Sequence, residues 1–209
     1  MEKHIITIAR GFGSGGKTIA QMLSKTLDIA YYDRELIRLA SENSGINEAL
    51  FNLVDETHKL NLFKKYDNQK ILSPDSEDFL SKENLFNFQA EIIRGLADQD
   101  TSSIIVGRCA HYLLRDRDDV IRVFIHAEQD HCVKRIMERY GIDEKEATRL
   151  VAKTDKARAQ YHKYFTKTEW NDARNYDLCL NTSIMSDEEC VRMIIEYLKI
   201  RDGSKTSSL

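Results

Sequence analysis

Ile5-Ile6-Thr7-Ile8-Ala9-Arg10-Gly11-Phe12-Gly13-Ser14-Gly15-Gly16-Lys17-Thr18 is the stretch on which the fold turns. Ile5 to Ile8 is short, β-branched and apolar at both parities, as in a strand covered on both faces. After Lys17, Ile19, Met22, Leu23, Thr26 and Leu27 recur at helical spacing, so an amphipathic helix is expected from Lys17 to Asp28. Between the two, Gly11 to Thr18 fits G-x-x-x-x-G-K-[ST] at every fixed position. Glycines let backbone N–H groups approach phosphate oxygens, and the helix N-terminus adds unpaired N–H groups and positive potential. Lys17 is spaced to reach the outer phosphates and Thr18 to ligate Mg²⁺. Gly11, Gly13, Ser14, Gly15, Gly16, Lys17 and Thr18 are therefore the candidate nucleotide-binding set.

Composition sharpens the point. The 209 residues hold only nine glycines and one proline, yet four of those glycines fall in this loop. Elsewhere the chain is built for long helices. Strands are expected at Ile29–Tyr32, Ser103–Val106, Val120–Ile125 and Asp177–Leu180. Helices are expected over 34–42, 46–66, 82–99 and 128–140. Another runs from Asp143 towards Phe165, and a last one follows Ser186 with an apolar stripe of Val191, Ile194, Ile195 and Leu198. Asp33 is read as able to cap the helix that follows it. Residues 67–78 read as loop, and the polar tail from Arg201 as frayed. Buried strands interleaved with helices imply an α/β fold with a parallel sheet covered on both faces. One domain spans 1–209, with a helical insertion over 34–100 and a smaller one over 141–174.

A net charge of −3 disfavours a dedicated nucleic-acid or acidic-membrane binder. The 149–167 segment nevertheless carries six basic residues against Asp155 alone. No apolar run is long enough for a membrane span, and Ile5 to Ala9 is too short for a secretion signal. A cytoplasmic protein with reduced thiols is expected. Cys109, Cys132, Cys179 and Cys190 form no Cys-x-x-Cys pair and read as small packing residues; Cys109, His111, His131 and Cys132 match no usual zinc spacing. The six histidines read as structural or exposed. No Asp-x-x-Gly and no Asn-Lys-x-Asp occurs, which argues against a GTPase switch, and no central strand ends in Asp-Glu as in a motor ATPase. A compact small-molecule kinase remains.

Ile8 to Ala20, Tyr31-Tyr32-Asp33-Arg34-Glu35-Leu36-Ile37, Ile105-Val106-Gly107-Arg108-Cys109-Ala110, and Tyr176-Asp177-Leu178 with Asn181-Thr182 resemble the cytidylate kinase-like family, nearly end to end. The resemblance implies a P-loop fold of five parallel strands in the order 2-3-1-4-5, with 34–100 as the acceptor-binding insertion and 141–174 as a lid. It implies ATP and Mg²⁺, with CMP or dCMP as acceptor, and so small-molecule nucleotide partners; the oligomeric state stays open. By position, Lys17, Arg108, Asp155 and Arg158 are implied around the transferring phosphoryl group, and Arg135 near the ATP base and phosphates, with Arg139 an equal candidate. Asp33 is implied at the acceptor or the Mg²⁺ shell. Two departures fall in the acceptor half. Val106-Gly107-Arg108-Cys109 stands where the family pattern reads Asp-Gly-Arg-Asp. The arginine expected six residues after Asp33 is Leu39, which leaves Arg34 and Arg38 as replacements. Two other readings stay open: a kinase of another small metabolite, and a nucleotide-binding module without turnover.

Overall fold

The computed structural model describes residues 2–53 and 71–206. In chain order the elements are β1 (Ile5–Arg10), α1 (Gly16–Leu27), β2 (Ala30–Tyr32), α2 (Glu35–Ser44), α3 (Glu48–Leu53), α4 (Lys82–Asp98), β3 (Ser103–Val106), α5 (Ala110–Leu113), β4 (Val120–His126), α6 (Gln129–Tyr140) and α7 (Glu144–Thr166). A 3-10 turn at Ala173–Asn175, β5 (Leu178–Asn181) and α8 (Asp187–Thr206) follow. The strands form one sheet in the order β2-β3-β1-β4-β5, all neighbours parallel.

Register explains why the strands are apolar at both parities. Ile6 pairs with Ile104 and Ile121, and Ile8 with Val106 and Val123. These face α1 and α8, where Ile19, Leu23, Ile194 and Leu198 close the main core. Ile5, Ile105 and Val120 face the other way, onto Leu36 of α2, Ile93 and Leu96 of α4, and Ala110 and Leu114 around α5. Each fully buried aliphatic side chain contributes roughly 1.5–3 kcal/mol, so neither face can be left uncovered.

Helix ends follow local chemistry. Asp28 ends α1 in the left-handed region at φ 52°, its N–H on the Ser24 carbonyl. Asp143 caps α7, its side chain accepting from the Glu146 N–H. At the start of α8 both arms of a capping box close: Glu189 N–H donates to Ser186 Oγ at 3.1 Å, and Ser186 N–H donates to the Glu189 carboxylate at 2.9 Å.

Three expectations need revision. Asp33 does not cap α2: the side-chain cap is absent there, and its carboxylate turns towards Lys17 instead. A facing cation outcompetes an exposed helix N–H. The tail is helical from Arg201 through Thr206 rather than frayed, and residues 207–209 lie outside the described residues. Arg201 anchors it by donating to the Val120 and Asp118 carbonyls, and Asp202 pairs with buried His4 at 2.6 Å. Cys179 is exposed on edge strand β5, while Cys109, Cys132 and Cys190 are buried. Burial pushes the Cys132 and Cys190 thiols up to about 11, so both are inert packing groups. The helix expected over 46–66 is seen as α3 up to Leu53; its remainder and residues 67–70 of the expected loop lie outside the described residues.

Two further clusters surround the C-terminal ends of the strands. Phe51, Phe86 and Phe88, from α3 and α4, pack with Tyr161, Tyr164 and Phe165 from the second half of α7. The first half of α7 supplies Ala147 and Val151 to a cluster with Val133 and Ile136 of α6, and Phe12 of the glycine loop packs against it. One helix of 23 residues thus touches both the loop and the 34–100 segment.

Candidate active site

A cavity of about 530 Å³ opens where β1, β2 and β3 end, bounded by the glycine loop, α6 and α7. That is where ligands bind in open α/β sheets. The loop leaves β1 after Arg10 and enters α1 at Gly16. Gly13 takes φ +88°, and a Cβ there would sit 2.7 Å from the Cys132 carbonyl oxygen. No side chain fits between the loop and α6. At Gly16 the obstacle is Arg10, whose Cβ would lie 2.5 Å from an added Cβ. Ser14 is buried, and its hydroxyl donates to the Gly11 carbonyl at 2.9 Å. Its own carbonyl accepts from Thr182 Oγ1 at 2.9 Å, so Ser14 braces the loop rather than lining the cavity.

Lys17 and Thr18 both line the cavity. Lys17 Nζ lies 3.1 Å from Asp33 Oδ2, which also accepts from the Tyr31 hydroxyl at 3.2 Å. Burial, with the Asp33 charge and hydrogen bond, raises the Tyr31 phenol above its ordinary value, so it stays a neutral donor. Arg10 Nη2 approaches the other oxygen of Asp33 at 3.7 Å.

Arg108 follows β3 in a strained turn. Gly107, Arg108 and Cys109 all have positive φ, at 77°, 56° and 56°. A side chain in that region costs roughly 1–3 kcal/mol, which the surrounding packing must offset. Here Cys109 is buried among the aromatic rings of α4 and α7, and Arg108, only 3% exposed, still reaches the cavity. Its Nη1 donates to Gln89 Oε1 of α4 at 3.4 Å. From α7, Arg158 donates to the Arg10 carbonyl at 3.1 Å, and its guanidinium stands 5.6 Å from the Phe12 ring centroid. Asp155 accepts from the Phe12 N–H at 2.7 Å. That carboxylate is on the loop backbone and is not among the residues lining the cavity.

From α6, Arg135 and Arg139 face the loop. Arg135 binds Asp187 of α8 through two hydrogen bonds of 2.9 and 2.8 Å, laid against Gly15. Those bonds, outweighing burial, raise its already high pKa. Arg34 is exposed and lies on the cavity lining. Arg38 is not brought there: it pairs with Glu35 and Glu42 on the exposed side of α2. Sequence reasoning passed over Arg10, Gln89 and Asp187. Arg10 had a signal, since it is the last residue of a central strand; the others lie in helices whose contacts are remote in sequence.

Among the described residues the cavity carries seven basic side chains against Asp33 and Glu138. Polyphosphate is the ligand that this charge and this loop suit together. A chain folded in this way around such a cavity is a P-loop kinase, a phosphotransferase. It belongs to the cytidylate kinase-like family, which matches residues 5–184. Proteins named cytidylate kinase from Sulfurisphaera tokodaii and Thermoplasma volcanium are 25% and 23% identical to it over 195 residues; the alignments cover 93% and 92% of this chain and 94% and 90% of theirs. A crystal structure of an uncharacterized protein from Eubacterium ventriosum is 30% identical with a TM-score of 0.68, covering 94% of this chain and 99% of that one. A shikimate kinase from Bacteroides thetaiotaomicron shares the fold at 13% identity, with a TM-score of 0.55 over 94% of this chain and 98% of its own. No described helix is long and apolar enough to cross a membrane.

Proposed function

We propose that the chain transfers the γ-phosphoryl group of ATP to a nucleoside monophosphate, with CMP or dCMP as acceptor. The observation that carries this is the excess of cations beyond the loop. Lys17, Arg135 and Arg139 suffice for a donor triphosphate. Arg10, Arg108, Arg158 and Arg34 line the same cavity, and guanidinium forks suit an acceptor that carries its own phosphate better than a neutral sugar. Relatives named cytidylate kinase support cytosine as its base.

In this reading the loop N–H groups and Lys17 hold the β- and γ-phosphates, and Arg135 and Arg139 flank the donor. Arg108 and Arg34 take the acceptor phosphate, and Arg158 bridges the two. The acceptor phosphate oxygen attacks Pγ, the bond from Pγ to the β–γ bridging oxygen breaks, and its electron pair leaves with ADP. The attacking oxygen is already ionised at neutral pH, so no side chain need act as base. Asp155 keeps the loop in place through the Phe12 N–H. Thr18 and Asp33 offer hard oxygen donors on the same cavity and would hold a Mg²⁺ ion, which would supply charge neutralisation on the phosphates.

The test is ADP formation by the purified chain with ATP, Mg²⁺ and a panel of nucleoside monophosphates. CMP and dCMP are expected to raise it well above the rate with water alone. If no monophosphate does so, the reading fails. One observation favours a different small-molecule acceptor: where the family pattern has a carboxylate after Gly-Arg, Cys109 is turned into the aromatic cluster. Turnover with a non-nucleotide phosphate or carboxylate metabolite, and none with CMP, would identify that case.

A further inference from the structure

Arg10 closes β1 with its position set by pairing to Ile125 of β4. Its side chain is 13% exposed and runs over Gly16, which must lack a Cβ to let it pass. The guanidinium then reaches the carboxylate that also holds Lys17, at 3.7 Å on one oxygen against 3.1 Å for the lysine on the other. Two cations therefore converge on Asp33 from different elements, and Arg158 is fixed beside them through the Arg10 carbonyl. The 3.7 Å pair with Asp33 is longer than a hydrogen bond.

We propose that Arg10 is a catalytic residue that leaves Asp33 to contact the transferring phosphoryl group; this rests on the kinase reading above. Lys17 is set by the loop to meet the outer phosphates, and Asp33 marks the point just beyond it. A γ-phosphoryl group placed there is within reach of the Arg10 guanidinium. When acceptor oxygen bonds to Pγ and the bridging oxygen departs with ADP, charge spreads over the three equatorial oxygens. A planar guanidinium matches two of them at once. Arg10 thus acts on the group that ATP has and ADP lacks.

That difference is the test. The full chain, with Mg²⁺, is titrated calorimetrically with ADP and with adenylyl imidodiphosphate, as wild type, Arg10→Met and Arg10→Lys. Arg10→Met is expected to weaken the imidodiphosphate by about tenfold or more, the scale of a lost charge-assisted pair, while ADP changes by less than about threefold. Arg10→Lys keeps the charge without the fork and is expected to fall between. Equal weakening of both nucleotides would mark a general structural role and overturn the proposal, as would no weakening of either. If Arg10→Met does not fold, Arg10→Lys decides by the same selectivity. These readouts need no turnover. A wild type inactive on every monophosphate but selective through Arg10 would sink the acceptor assignment alone, and an active wild type indifferent to Arg10 would sink this one alone.

Discussion

Arg108 concentrates the site's logic at one residue. It sits in a run of three left-handed residues, buried, with Gln89 as a neutral partner. Its guanidinium lines the cavity, where a planar fork suits a phosphate, while Arg135 is laid against the loop by Asp187. Arg108→Ala is therefore expected to lower transfer by at least about a hundredfold, the scale of a lost charge-stabilising donor. ATP-analogue affinity should hold within a few-fold. Paired kinetics and equilibrium binding check it; equal loss of both would place Arg108 on the donor instead. The glycine spacing made the loop residues legible, and Arg108 was legible as the residue after a strand-ending glycine. The partner of each was not: Asp33 reads equally as a helix cap until Lys17 is seen opposite it.

Among the elements, α7 carries the most. Its first half meets α6 and Phe12, its middle reaches the loop backbone through Asp155 and Arg158, and its second half enters the aromatic cluster of α3 and α4. A basic helix is usually a solvated face, and here Lys153, Lys156 and Lys163 are indeed at least partly exposed while Arg158 is buried. Phe12 is the peg by which the loop is tied to this helix pair. Phe12→Ala removes a half-buried ring, so a destabilisation of about 2 kcal/mol is expected, at or below the low end for core phenylalanines. Because the ring ties the loop to this helix pair, ATP-analogue affinity should drop with it, although the backbone N–H to Asp155 is retained. Chemical denaturation and calorimetry read the two effects; a stability loss with unchanged affinity would show that the loop keeps its shape without the peg. Periodicity located α7 and its cap at Asp143. It could not say that one helix would serve two clusters.

Across the whole molecule, a buried histidine pair links α5 to α7 and sets an acid limit. His111 and His162 stack with Nε2 atoms 3.0 Å apart. The Thr168 carbonyl, 3.1 Å from His162 Nδ1, can only accept, so Nδ1 carries the proton and Nε2 accepts from His111. Protonating His162 would put an N–H on the nitrogen that faces His111 and force His111 out of its donor tautomer. Burial pushes its pKa down from 6.5 to about 4, against the Thr168 hydrogen bond and the Glu169 charge. Between those values the unfolded chain binds more protons than the folded one, so stability falls as pH drops from 6.5 towards 4. The full effect is on the order of 3 kcal/mol. Melting temperatures across that range should decline in the wild type and decline less in His162→Gln, which keeps a donor and an acceptor but does not titrate. Parallel curves for the two would remove His162 as the cause.

The phosphate loop, the doubly covered parallel sheet and the family are written in short contiguous patterns: branched apolar runs, a crowded set of glycines, a helix phase. Such patterns can be read in sequence because backbone geometry and burial impose them locally. The convergence of charge is of another kind. Arg158 meets Arg10 across 148 residues of chain, and Asp155 meets Phe12 across 143. Arg38, four positions after Arg34 and of equal promise in sequence, turns to Glu35 and Glu42 instead. An ion pair takes whichever opposite charge the packed elements bring nearest, and only the tertiary structure decides which that is.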